Sequence, residues 1–576
     1  MDCSIRKDTL LAMKEGLLKK SAEASTTSRK RGNELLLSQG HNKGTHLEIL
    51  SLYTQSVVLA ESGSEELAMA YGNRSSLLLH LRKYDECLVD IDRACRISRS
   101  QELKLKLVTR KMKCMSLMDN KRSVVEESWP TSRDVGVKRI GSYAAGKLSK
   151  VIPCAYDCVT LVHNSEYGRH CVATKNIEPG QIIAIEKCVM LYPKRDKIYL
   201  ICSHCLTFAC NGIPCEHCTA VVFCSEKCRE EAFIKYHDFE CAVLPFLKLV
   251  DDKLQNMGSL LAAVRLFIKS VKKEGWHNIS KDLNDLKSNS LEGFFDNGIF
   301  QSDKLKTVCN LFYKMDSDKD ISTYTFRMSF IKDVLGILVN DTKMFGDEKS
   351  FTEVDFDLAA DLIYKLKTIV DFNAFQFRGP NCLCMSSVEC KVNCGEMNLG
   401  LLFSPFCSLL NHSCNYNTHR LFTENGQMFL YTVQPLKKGE QLFTSYGFPI
   451  MVEKTIRQNF LKDNYGFICH CRACTENWPS DLFYNAPPEE FVKSKLKSEF
   501  QRVGIKDSSY LVLFTSPSNI SFNKSVRNDI IRIIKVIHNN FSGSEEYKHS
   551  FSAVYYIEEY FVRVFGIKIF DIPGIC

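Results

Sequence analysis

The chain has 576 residues, 45% hydrophobic and 25% charged, the proportions of a globular protein with several domains rather than a fibrous or disordered one. Its formal net charge of +8 is too slight for this length to support direct DNA binding, and no apolar run reaches membrane-spanning length. No signal-type apolar core opens the sequence, so cytoplasm and nucleus are the expected compartments. There the 27 cysteines read as metal ligands or buried hydrophobes rather than disulfides.

After an N-terminal segment (residues 1–24), residues 25–120 carry apolar residues at helical spacing, with breaks that suggest helix pairs. One break falls at Arg82–Lys83, inside "LAMAYGNRSSLLLHLRKYDECLVDIDRACRI". Helix pairs recurring about every 34 to 40 residues resemble a tetratricopeptide array, here through Gly32-Asn33, Tyr53, Tyr71, Asn73-Arg74, Tyr84 and Ala94. Such arrays can grip an acidic C-terminal tail with two Asn and several Lys or Arg. Arg29, Asn33, Asn73, Lys106 and Arg110 fall at positions resembling that clamp, which implies the tails of cytosolic heat-shock chaperones as peptide partners.

A polar, Pro-containing linker (121–139) precedes β-type runs over 140–201. There "EPGQ" predicts a turn, because Pro presets φ and Gly permits the reversal. Residues 202–241 then carry Cys202-x2-Cys205, Cys215-x2-Cys218, Cys224-x3-Cys228 and His237-x3-Cys241. These candidates suffice for two tetrahedral zinc ions, since a closed site takes four ligands. A segment this short has little core, so the metal would supply much of its folding energy. Cys210, His204 and His217 are left over. Residues 242–370 read as helical, 371–450 as strands around "MFLYTVQPLKKGEQLFTSYG", and 479–576 as helical again. Between them, 451–478 contains Cys469-x-Cys471-x2-Cys474, one thiolate short of a closed site. Cys382, Cys384, Cys390 and Cys394 form a further group that reads either as another zinc site or as a loop with free thiols.

The spacing over 202–241 resembles the MYND zinc finger. With "NHSC", "SYG" and "NYGFICHCRAC", it resembles the SET and MYND family of protein-lysine methyltransferases. The resemblance implies an α+β architecture: a helical tetratricopeptide array, a β-rich SET domain interrupted by the finger and a helical insert, a zinc-bound post-SET segment and a helical C-terminal region. It implies interleaved zinc ligation, with Cys202, Cys205, Cys224 and Cys228 on one ion and Cys215, Cys218, His237 and Cys241 on the other. Cys414 becomes the fourth ligand of Cys469, Cys471 and Cys474, making three zinc ions in all. The implied activity is methyl transfer from S-adenosylmethionine to a lysine of a protein substrate. Tyr446 would be catalytic and Phe375, Tyr465 and Phe467 would wall the lysine channel. Gly168, Arg169, His170, Asn411, His412, Tyr446 and Phe467 would bind the cofactor, and the finger would bind protein partners. Two departures stand out. His170 occupies the place of a second glycine, and Tyr416 that of a proline after "NHSC". The first favours a rival reading, a catalytically weak scaffold joining chaperones and finger-binding proteins.

Overall fold

A computed structural model describes residues 20–39, 45–122, 143–253, 258–284, 291–314, 321–346, 351–380, 396–422, 426–447, 452–478, 497–502 and 524–541. Along the chain run helices α1 (Ala22–Gln39), α2 (His46–Leu59), α3 (Glu65–His80), α4 (Tyr84–Ile97) and α5 (Gln101–Arg122). Strands β1 (Val159–Asn164), β2 (Gly168–Ala173), β3 (Ile182–Lys187), β4 (Met190–Pro193), β5 (Ile213–Pro214) and β6 (Val222–Phe223) follow. Next come α6 (Glu226–Ala232), α7 (Asp238–Lys253), α8 (Gly258–Glu274), α9 (Trp276–Asn284), β7 (Phe295–Asp296), β8 (Ile299–Phe300), α10 (Leu305–Cys309), α11 (Ile321–Asn340) and α12 (Glu353–Asn373). The rest is β9 (Phe375–Pro380), β10 (Glu396–Phe403), β11 (Asn411–His412), β12 (Thr418–Phe422), β13 (Gln427–Thr432), β14 (Phe443–Thr444), α13 (Lys454–Tyr465), α14 (Arg472–Thr475), α15 (Lys497–Arg502) and α16 (Lys524–Phe541). None of the described helices is long and apolar enough to cross a membrane.

The chain divides into two compact units: Met1–Trp129 with Met190–Asp285 and Tyr313–Leu402, and Pro130–Val189 with Leu286–Phe312 and Phe403–Cys576. In the first, α1 packs on α2, α3 on α4, and α5 on α4. Arg82 takes φ 58°, a left-handed residue that ends α3 where the sequence predicts the break. Ser64 caps α3 by accepting the Leu67 N–H.

These helices are fastened to the β5–β6 segment by a buried cation. Arg74 and Asp90 are both fully buried and pair through two bonds, at 2.6 and 2.9 Å. A third arm of the guanidinium donates to the Gly212 carbonyl at 3.1 Å, and Arg93 donates to that of Asn211 at 2.7 Å. The same unit holds the α8–α12 and α11–α12 packings and the sheet β4-β10-β9.

The second unit contains the antiparallel hairpin β1–β2, the sheet β12-β13-β3 and the short parallel pair β11–β14. The predicted "EPGQ" turn forms, with Gly180 at φ +73° leading into β3. One sequence expectation needs correction, because residues 242–370 are not wholly helical. β7 and β8 pair as a hairpin across Asn297 (φ 49°) and Gly298 (φ 77°). Asn-Gly between apolar residues is a strong short-range hairpin signal, and it overrides the helical surroundings. Residues 382–394, with the fourth cysteine group, lie outside the described residues, as does most of the C-terminal region beyond α15 and α16.

Candidate functional site

Two cysteine clusters form in the first unit. The ligand atoms of Cys202, Cys205, Cys224 and Cys228 lie within 4.8 Å of one another, as do those of Cys215, Cys218, His237 and Cys241. Each first pair sits on a tight turn, and Ser225 caps α6 so that Cys224 and Cys228 face the same point at 3.5 Å. His237 shows how the second set is tuned. Its Nε2 faces Cys218 Sγ at 3.8 Å, and its Nδ1 lies 3.3 Å from the Glu240 carboxylate. Nδ1 therefore carries the proton, which leaves the Nε2 lone pair for a cation. Buried Glu240 is held in turn by Arg265 at 2.6 and 3.0 Å, and Arg265 stacks over Tyr192 and Tyr236. Closed sets of soft thiolates with one imidazole fit zinc. His204 instead stacks on Tyr236, and Cys210 is buried outside both sets.

A third cluster lies in the second unit, where Cys414, Cys469, Cys471 and Cys474 bring their sulfurs within 4.8 Å. Four thiols so close cannot all ionise without a cation. Hydrogen bonds from Cys414, Cys469 and Cys474 hold Cys471 far below the ordinary thiol range, while the other three sulfurs push Cys414 up. All four offer sulfur, which again fits zinc.

Against this cluster stands an aromatic group. Tyr446 donates its hydroxyl to the Leu410 carbonyl at 2.8 Å, and Tyr465 donates to the Tyr446 carbonyl at 3.2 Å. Ring centroids separate Tyr446 from Tyr465 by 4.9 Å, from His412 by 5.4 Å and from Phe467 by 6.4 Å. Burial raises the pKa of both tyrosines. Burial also lowers the His412 pKa to about 4, so the imidazole is neutral. Its Nδ1 accepts the Tyr446 N–H at 3.0 Å, and its Nε2 faces Cys414 Sγ at 3.4 Å. Arg420 braces the same strand end from Thr444 Oγ1 and the Ser445 carbonyl.

Asn411 donates to the Tyr167 carbonyl at 3.1 Å, which brings the "NHSC" turn beside the start of β2. There Gly168 adopts φ +61° and has open space where a side chain would point. Bare backbone beside an amide and an imidazole suits a polar ligand's close approach. The next two side chains turn elsewhere. Arg169 donates to the Asn310 carbonyl and lies over the Phe294 ring at 5.0 Å. His170 is buried, with Nδ1 2.9 Å from the Gly168 carbonyl and its ring edge-on to Tyr167. Both side chains thus have protein contacts, while Gly168 itself stays open. Phe375 opens β9 in the first unit, opposite Leu402.

Sequence reasoning overlooked Glu186. This fully buried β3 carboxylate accepts the Ser404 hydroxyl and the N–H groups of Phe406 and Cys407, tying down the segment that leads to Asn411. Nothing in the local pattern marks it, since a lone Glu in an apolar strand reads as solvent-facing. Tyr416 fills a buried slot against His419, and its carbonyl accepts from Gln434 at 2.7 Å.

Comparison with known proteins gives the class first. The family description "SET domain" matches residues 168–447, which contain Gly168, Asn411, His412 and Tyr446. The chain therefore carries a SET domain, and it is similar to SET and MYND domain-containing proteins. It is 23% identical over 546 residues to protein-lysine N-methyltransferase SMYD4 of Danio rerio, covering 83% of this chain and 69% of that protein. To SMYD4 of Mus musculus it is 23% identical over 531 residues, covering 73% and 64%. A SET and MYND domain-containing protein of Dictyostelium discoideum matches at 22% over 404 residues, covering 63% of this chain and 95% of its own. The chain thus spans about two thirds of the vertebrate relatives.

Proposed function

We propose that the protein is an S-adenosylmethionine-dependent protein-lysine N-methyltransferase. The observation that carries this reading is the part-buried Tyr446 hydroxyl on the Leu410 carbonyl, beside a wall formed by Tyr465, Phe467 and His412. Methyl transfer forms an N–CH3 bond as the sulfonium S–CH3 bond breaks, so the lysine amine must arrive neutral. An apolar aromatic enclosure disfavours the ammonium form, whose unperturbed pKa is about 10.4. Tyr446 and the Leu410 carbonyl orient the polar groups of that enclosure, and positioning supplies much of the rate. S-adenosylmethionine, held at Gly168, Asn411 and His412, supplies the methyl group. His170 and Arg169 keep their side chains on protein partners, which leaves Gly168 open and weakens the scaffold reading.

The test is methyl transfer from labelled S-adenosylmethionine to a protein library, with wild type and Tyr446→Phe. Labelled lysine in the first and at least a hundredfold less in the second supports the reading. No detectable cofactor binding by wild type overturns it in favour of the scaffold.

A second reading concerns the helices α1–α5, which we infer to be tetratricopeptide repeats binding acidic chaperone tails. Arg29 and Arg110 both act on buried Tyr53, whose hydroxyl donates to Asn33 Oδ1, which also accepts from Asn73 Nδ2 at 2.7 Å. Two of the cations and both amides thus meet at Tyr53, whereas Lys106 pairs with exposed Glu102 at 2.6 Å. Arg110 also donates to the Gly72 carbonyl and Ser75. Calorimetry with a peptide ending Glu-Glu-Val-Asp tests it. Binding that is lost with Arg29→Ala supports it, and no binding by wild type sinks it.

A further inference from the structure

The helix α5 buries one face and exposes another that is not polar. Leu107 and Cys114 are fully buried. On the opposite side Leu105 (69% exposed), Val108 (49%), Met112 (68%) and Met115 (51%) stand in water. Their spacing of three, four and three residues is that of a heptad seam, with Leu105 and Met112 at one core position and Val108 and Met115 at the other. Seams of large apolar residues are costly to leave in water and mark contact surfaces. Leu and Met are also suited to repacking against a partner.

The charge beside the seam selects the partner. Lys104 and Lys111 occupy the flanking positions that reach across to a facing helix. Lys111 touches Asp92 at 2.8 Å, but both groups are about half exposed. Such pairs contribute little, so an incoming carboxylate can compete. A second copy of the chain fits poorly. Antiparallel seams would set lysine against lysine, and parallel seams would set lysine against Thr109 and Ser116.

We propose that this face of α5 docks an amphipathic helix of another protein, with apolar residues at heptad spacing flanked by Asp or Glu. This surface is separate from the clamp on the same helix and does not depend on the methyltransferase reading.

The test uses the full-length chain and a fluorescent synthetic helix of three heptads, with Leu along the seam and Glu beside it. A twin peptide with Lys beside the seam is the control. The acidic peptide should bind at least tenfold more tightly than its twin. The exposed pair Leu105→Gln and Met112→Gln should weaken it at least tenfold with unchanged circular dichroism. Lys104→Glu with Lys111→Glu should reverse the preference between the peptides. No binding, no preference, or no effect of the seam pair overturns the proposal. So does a Met112→Cys chain that maleimide fails to label, because the protein's own residues then cover the face. A dimer dissociated by Leu105→Gln, or binding to anionic vesicles lost with the seam pair, overturns it in favour of self-association or a membrane surface.

Discussion

The backbone N–H of Tyr446 is held at 3.0 Å by the Nδ1 of His412, and the other nitrogen of that imidazole faces the sulfur of Cys414. One neutral ring therefore spans the aromatic wall and the third thiolate cluster. Removing it leaves a part-buried donor without its acceptor, which costs about 1–3 kcal/mol. His412→Ala should weaken S-adenosylmethionine binding by roughly 5- to 150-fold while keeping the zinc content of wild type. Calorimetry and metal analysis on the same preparation check both halves.

Cys414→Ser should act on both sides of that ring. The four-sulfur set loses a ligand, so the zinc content should fall by one ion per chain, and cofactor binding should fall with it. Wild type should hold at least one ion for each of the three clusters found among the described residues. A fourth ion would assign a site to Cys382, Cys384, Cys390 and Cys394. If the serine variant lost zinc yet bound cofactor as wild type does, the coupling would be absent.

Breaking the Arg74–Asp90 pair should be severe. Asp90→Ala leaves a fully buried guanidinium with part of its partners gone, a change worth about 3–5 kcal/mol. Because the same guanidinium holds the Gly212 carbonyl, zinc chelation should also loosen α3 and α4. Amide exchange in these helices, followed before and after chelation, reports this. Protection unchanged by chelation would show that the finger and the helices unfold separately.

Acid should find His419. Burial, with Arg420 beside it, lowers its pKa to about 3 in the fold, and its Nδ1 meets the Tyr431 hydroxyl at 3.2 Å. The unfolded chain takes up this proton near pH 6.5 and the folded chain does not. The stabilisation is therefore complete above about pH 6.5 and is lost as pH falls toward 3. Urea midpoints of wild type and His419→Gln, measured from pH 7 to pH 4, should show a smaller acid loss in the variant.

The parts legible in the sequence are those whose chemistry is local. Paired cysteines two or three residues apart announce themselves, as do the helix break at Arg82 and the "EPGQ" turn. Cys414 could be joined to Cys469, Cys471 and Cys474 only through family resemblance, because thiolates far apart in the chain carry no shared local pattern. Asp90, Glu186, Glu240 and Arg265 escaped notice for a different reason, and Arg74 was read as part of the repeat pattern without its buried ion pair. Charged side chains default to solvent, and only the tertiary fold makes partners that let them be buried. The β7–β8 hairpin was missed although Asn297-Gly298 signals it, because the helical pattern on either side dominated.

The His412 bridge also makes the third cluster a usable instrument. Cobalt, exchanged for zinc among Cys414, Cys469, Cys471 and Cys474, would absorb visible light in bands whose position and splitting follow the arrangement of its four sulfurs. Anything that shifts the imidazole beside Cys414 would then register as colour. Occupancy of a colourless cofactor pocket could be followed in a cuvette, without radiolabel or product detection.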